Sequence, residues 1–143
     1  RDLHSFPTRR SSDLVGSVVL CNRTMAKAEL LQEEFLPYGE IICKPSEQLS
    51  GRFDLIINAT SASLSGEIPD MPDTIIPGSV CYDLAYTYGE TPFQRWAKQN
   101  NSAQSLQGWG MLVEQAAESF YIWRGVRPKT EEIIQRLQAE LEN

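Results

Sequence analysis

The short apolar run Val18-Val19-Leu20 leads through Cys21-Asn22-Arg23-Thr24 directly into a helical pattern that opens at Met25. A strand that enters a helix through so short a turn commits a chain to βα units. The turn also carries two cations, Arg23 and Lys27, beside two hydrogen-bonding side chains, Asn22 and Thr24. In nucleotide-binding α/β sheets an acid at the end of the second strand binds a free ribose 2′-hydroxyl, whereas an Arg accommodates a 2′-phosphate. No acid stands here and Arg23 does, so the turn reads as part of an NADP-binding domain. Thr24 serves equally as a plain helix N-cap, and Lys27 as a solvated lysine.

The alternation continues down the chain. Residues 25–36 read as a helix with Ala28, Leu31 and Phe35 on one face, and 40–43 as a second short strand. Residues 53–58 form a nearly continuous apolar strand, which implies cover on both sheet faces. A polar loop spans 58–74, a strand 79–84, and a helix 92–99 opens with Pro92 in its first turn. A brief strand near 103–106 precedes two closing helices, 109–124 and 130–142. Thr130 is placed to cap the last one, with Glu131 and Glu132 at its positive end and Ile133, Ile134, Leu137 and Leu141 as its stripe. The pattern predicts an α/β, Rossmann-like, mostly parallel sheet with flanking helices, plus two C-terminal helices.

Residues 1–14 have neither period and are interrupted by Pro7, so they read as a non-native leader or a disordered tail. Nothing before Val18 fits the Gly-rich turn that brings a pyrophosphate to a helix N-terminus. The sheet is therefore expected to be truncated at its N-terminal βα unit.

Composition excludes several classes. With 143 residues, 41% of them hydrophobic, the chain can bury a real core. A net charge of −6 argues against nucleic-acid or membrane-surface partners, which call for a basic face. The three cysteines, Cys21, Cys43 and Cys81, are far apart and set in apolar runs, the usage of buried reduced thiols rather than of a disulfide frame or a zinc site. No apolar run nears the roughly 18 residues of a membrane span. A cytoplasmic protein without a metal is expected.

Three further segments carry candidate chemistry. Asn58-Ala59-Thr60-Ser61 closes the apolar strand, the edge where α/β sheets bind ligands, so Asn58, Thr60 and Ser61 can line a nicotinamide crevice or satisfy their own loop. Tyr82-Asp83-Leu84-Ala85-Tyr86 precedes Gly89-Glu90-Thr91-Pro92-Phe93 and offers the Tyr86 phenol at the same edge, as a substrate contact or as packing. Gly108-Trp109-Gly110-Met111-Leu112-Val113-Glu114-Gln115-Ala116 places Met111 and Gln115 one turn apart, and Gln115 needs a partner, solvent or substrate. The sole histidine, His4, lies in the leader, which removes the usual general base.

In order, these four segments resemble shikimate dehydrogenase, the NADP-dependent enzyme that reduces 3-dehydroshikimate to shikimate on the route to chorismate and aromatic amino acids. The resemblance runs from about Val15 to the end of the chain. It implies that Asn22, Arg23, Thr24 and Lys27 hold the adenosine 2′-phosphate, and that Leu84 and Gly108 contact the nicotinamide. It implies too that Tyr86 and Gln115 contact shikimate, with Met111 and Leu112 lining the same cleft. Residues 15–108 would form the NADP-binding domain, and 109–143 helices that return toward a substrate domain. The family's catalytic lysine and aspartate belong to that N-terminal substrate domain, so no catalytic residue is assigned in this chain. By itself the chain is expected to oxidise no shikimate and to bind NADP weakly.

Two departures bear on the site. Ser63 stands where the family usually has Gly, which stiffens the loop, and Gln107 replaces the acid that usually precedes Gly108, which alters the local hydrogen bonding. Three alternatives stay open. An NAD-using quinate/shikimate dehydrogenase would show an acid near Asn22, and glutamyl-tRNA reductase would not explain Tyr86 and Gln115. The third is a non-catalytic nucleotide-binding module. Trp109, Phe120 and Trp123 are expected to be under-covered and prone to association.

Overall fold

The computed structural model describes residues 16–141, so the expected leader 1–14 with His4 lies outside the described residues. The chain divides into two compact units, one ending at Leu49 and the other beginning at Ser50.

In the first unit β1 (Val18–Leu20) pairs parallel with β2 (Ile41–Cys43), Val18 opposite Ile41. Helix α1 (Met25–Phe35) joins them and is followed by a 3-10 turn, Leu36–Tyr38. The inward face of α1 differs from the expected one. Ala28 is buried, but Leu31 and Phe35 are exposed, whereas Met25 and Gln32 are half-buried. Met25, Ala28 and Gln32 recur at helical spacing, and the Gln32 Nε2 donates to the Ile41 carbonyl at 2.5 Å. A polar side chain thus fastens the helix to β2 where an apolar stripe was expected. Cys21 lies just past the end of β1 and is exposed, and Cys43 is half-buried. Only Cys81 fits the expectation of a buried thiol, and burial pushes its pKa up against the opposing Ser79 hydroxyl.

The second unit holds β3 (Leu55–Asn58), β4 (Val80–Asp83) and β5 (Gln104–Gln107), all parallel in the order β3-β4-β5. Parallel neighbours need crossovers. The β3–β4 crossover is the loop expected there, with 3-10 turns at Ala62–Ser65 and Asp73–Ile75. The β4–β5 crossover is helix α2 (Pro92–Gln99). Thr91 accepts from the Gln94 N–H while the Gln94 side chain accepts from the Thr91 N–H, a reciprocal cap that fixes where α2 starts. Phe93 and Ala97 of α2 are buried, as are Ile56 and Cys81 on the sheet. The opposite face does not meet the expectation of two-sided cover, since Leu55 and Ile57 are 52% and 55% exposed. Alternate strand residues point to opposite faces, and α2 covers only the face that Asp83 shares with Cys81.

Helix α3 (Trp109–Arg124) ends at Gly125 in the left-handed region, and α4 (Glu131–Leu141) packs against it. At the start of α4 the Thr130 carbonyl receives the Ile134 N–H, and the Thr130 hydroxyl donates to the Glu114 Oε1 at 2.5 Å. The other Glu114 oxygen accepts from the Arg127 Nη2 at 3.1 Å, and Arg127 also pairs with Glu118. Thr130 first and Arg127 after it lower the Glu114 pKa from its ordinary value. A carboxyl whose folded pKa is depressed stabilises fully above its unfolded pKa, about 4.3, and loses that as pH falls through the folded value. Melting followed by circular dichroism should therefore drop in acid, and Thr130→Val should blunt that drop. An unchanged pH profile in the variant would refute the linkage. Phe120 is exposed and Trp123 is 78% exposed, as expected, whereas Trp109 is half-buried under two tyrosines.

Candidate functional site

The Asn22–Lys27 turn belongs to the first unit, and all four of its candidate side chains are exposed. The Asn22 Oδ1 accepts the Thr24 N–H at 2.9 Å and shapes the bend into α1. Thr24 occupies the N-cap position without a side-chain bond, so its hydroxyl remains available at the helix start. Arg23 and Lys27 form no ion pair among the described residues. A forked guanidinium, an ammonium and a hydroxyl at a helix N-terminus form a donor set that fits a phosphate.

The other candidates lie in the second unit, and its strand register organises them. Asn58, Asp83 and Gln107 end β3, β4 and β5 and are register partners, one polar residue per strand in a row across the C-terminal edge. The Asn58 side chain is used internally. At 1% exposure its Oδ1 accepts from the Thr60 N–H and hydroxyl at 3.1 and 2.7 Å, and its Nδ2 donates to Ser63 at 3.2 Å and to Asp83 at 3.0 Å. Asp83, at 0% exposure, accepts from the Asn58 Nδ2, the Ala85 N–H and the hydroxyls of Ser63 and Thr91, the last two at 2.7 Å each. The buried carboxylate thus ties the loop after β3, the loop after β4 and the start of α2 to one point. Ser63 does more than stiffen its loop, because its hydroxyl bridges Asn58 and Asp83.

This framework opens a cleft of about 400 Å³ lined by Thr60, Leu64, Leu84, Ala85 and Tyr86. It brings together Thr60, Leu84 and Tyr86 from two separate candidate segments, while Ser61 starts the 3-10 turn beside it. Gly108 is buried at the start of α3, and its N–H donates to the Ala85 carbonyl at 3.1 Å. A Cβ there would collide with the Leu84 carbonyl oxygen and stand 3.0 Å from its carbon, so only glycine lets these backbones meet.

The Tyr86 ring packs against Trp109 with centroids 4.5 Å apart and planes tilted by 46°, and the Trp109 indole N–H reaches the Thr87 carbonyl at 3.4 Å. The Gln107 amide accepts the Thr87 N–H and donates to the Gly89 carbonyl, both at 2.9 Å. On α3, Met111 and Gln115 are exposed and Leu112 is half-buried. The Gln115 side chain has no hydrogen-bond partner among the described residues, and the Ser119 hydroxyl donates only to its carbonyl. Sequence reading assigned no such role to Asp83, Thr91, Gln94 or Gln107. The Thr-x-x-Gln spacing of the cap was a usable signal, whereas the others depend on register.

Residues 108–138 match the family described as the Shikimate 5′-dehydrogenase C-terminal domain. The chain is 50% identical over 126 residues to a shikimate dehydrogenase (NADP(+)) of Alkalilimnicola ehrlichii, covering 87% of this chain and 47% of that protein. It is 54% identical over 125 residues to a Methylococcus capsulatus protein of the same name, covering 86% and 45%. The chain thus spans a little under half the length of these curated relatives. Among solved structures, an Ael1 enzyme from Pseudomonas putida superposes with a TM-score of 0.79 at 44% identity, covering 85% of this chain and 45% of that one. Shikimate 5-dehydrogenase from Thermus thermophilus in complex with shikimate gives 0.69 at 28% identity, covering 88% and 46%.

Proposed function

We propose that this chain, which belongs to the shikimate dehydrogenase family, supplies the NADP(H)-facing part of an enzyme that reduces 3-dehydroshikimate to shikimate. The observation that carries this reading is the cleft at the C-terminal edge of the β3-β4-β5 sheet, where Thr60, Leu84 and Tyr86 converge. Parallel α/β sheets bind their ligands at that edge. When bound, NADPH supplies a hydride to the ring ketone. Arg23, Lys27, Thr24 and Asn22 recognise the 2′-phosphate, which selects NADP over NAD. Leu84, Gly108, Met111 and Leu112 form the nicotinamide side, with Thr60 and Ser61 beside it, and Asn58 holds Thr60 in place. Tyr86 offers its phenol, and Gln115 its free amide, to the hydroxyls and carboxylate of shikimate.

On this reading residues 15–108 are the NADP-binding domain, and 109–143 are helices directed toward a substrate domain that supplies the proton-transferring lysine and aspartate. No helix among the described residues is long and apolar enough to cross a membrane, and a cytoplasmic setting fits the pathway. Nucleotide titration tests the central claim. Arg23→Ala should weaken NADP binding about tenfold, the usual worth of a charge-assisted contact, and leave NAD binding unchanged. Equal losses for both nucleotides would overturn the assignment of Arg23 to the 2′-phosphate.

A further inference from the structure

We propose that Gln107 is a positioning residue for the Tyr86 wall of the cleft, and that its neutral amide holds that wall in one geometry irrespective of pH. The functional weight of this rests on the reading of Tyr86 as a substrate contact, but the geometry stands on its own. After β4 every second residue is fastened to the segment that ends β5 and begins α3. The Ala85 carbonyl receives the Gly108 N–H at 3.1 Å. Thr87 gives its N–H to the Gln107 Oε1 at 2.9 Å and takes the Trp109 indole N–H on its carbonyl at 3.4 Å. The Gly89 carbonyl receives the Gln107 Nε2 at 2.9 Å. The alternating residues, Tyr86 and Tyr88, are the ones whose rings lie on Trp109.

Gln107 therefore satisfies a donor and an acceptor at once, on residues two apart. A carboxylate in its place could keep the Thr87 N–H but would turn a lone pair toward the Gly89 carbonyl, because it carries no donor until protonated. It would also stand beside Asp83, its register partner on β4, whose carboxylate is already full. The other ionisable groups facing this loop are Glu90, paired with Lys98 of α2, Arg95 on the Glu90 carbonyl, and the phenols of Tyr86 and Tyr88. The Gln107 amide itself carries no ionisable proton, so neither the donor nor the acceptor it gives the loop changes with pH.

The test is nuclear magnetic resonance on the full chain, following the Thr87 amide and the Trp109 indole between about pH 4 and 8. In the wild type both signals should be flat across this range. Gln107→Ala should raise Thr87 amide exchange roughly tenfold after correction for intrinsic rates, and shift the Trp109 indole at every pH. Gln107→Glu should make both signals titrate, near wild type in acid and displaced at neutrality, with a midpoint above the ordinary glutamate value. A merely space-filling Gln107 would give no such titration. Unchanged signals in Gln107→Ala, or a flat profile in Gln107→Glu, overturn the proposal. Shikimate is then added to the wild type while the Tyr86 ring signals are followed. If they stay still Tyr86 makes no contact with shikimate in this chain, but the clamp result is unaffected, so the two claims fail separately.

Discussion

Asp83→Ala should lower stability by about 4 kcal/mol, because it strands several buried donors at once. The carboxylate serves the Asn58 amide, the Ala85 N–H and the hydroxyls of Ser63 and Thr91, and none of these gains a new partner when the side chain is truncated. For a unit of this size the melting point should fall by roughly 20 °C. Asp83→Asn keeps the shape and one acceptor but sets an amide donor against hydroxyls that already donate, so it should cost about half as much. Thermal denaturation by circular dichroism reads both. Equal melting points for wild type and Asp83→Ala would mean that the loops around the cleft are held by something other than this hub.

Gly108→Ala should be nearly as damaging for a different reason. The added methyl meets the backbone of Leu84, which no side-chain rotation can move aside, and it also comes within 3.4 Å of the Tyr86 ring. To make room, the loop after β4 must leave α3, which breaks the Gly108–Ala85 hydrogen bond and opens the Tyr86–Trp109 ring contact. A loss of about 3 kcal/mol is expected, together with loss of the near-ultraviolet signal of the Tyr86–Trp109 pair. A stable variant with an intact signal would refute the tight contact.

Much of this architecture is legible in the amino acids themselves. Pro92 and the glycines at 108 and 125 punctuate the chain so sharply that helices α2 and α3 fall on the residues their sequence predicts. The strands follow to within a residue or two, since their ends depend on pairing rather than on local signals. Two kinds of information were out of reach. The bare face of β3, at Leu55 and Ile57, looks in sequence like a strand covered on both sides, because composition does not say how many helices lie over a sheet. The inward turn of Gln32 on α1 is likewise invisible to a rule that sends polar residues outward.

The candidate site divides the same way. The motifs pointed to Thr60, Leu84, Tyr86 and Gly108, which meet around one cleft and its rim. They did not reveal that the Asn58 amide is wholly engaged within the chain, nor that Asp83 and Gln107 anchor the loops. Those roles come from residues more than 20 positions apart falling on one line of the sheet, and only register creates that line.

The row Asn58–Asp83–Gln107 has a consequence for how the cleft comes into being. Each wall is fastened to the last residue of a strand, so the cleft cannot assemble before the three strands have found their alignment, nor outlast its loss. A slip of β5 by one residue would turn Gln107 to the other side of the sheet and release Thr87 and Gly89 together. Strand alignment and ligand competence are therefore a single cooperative event, and a compact but misaligned intermediate would be blind to ligand.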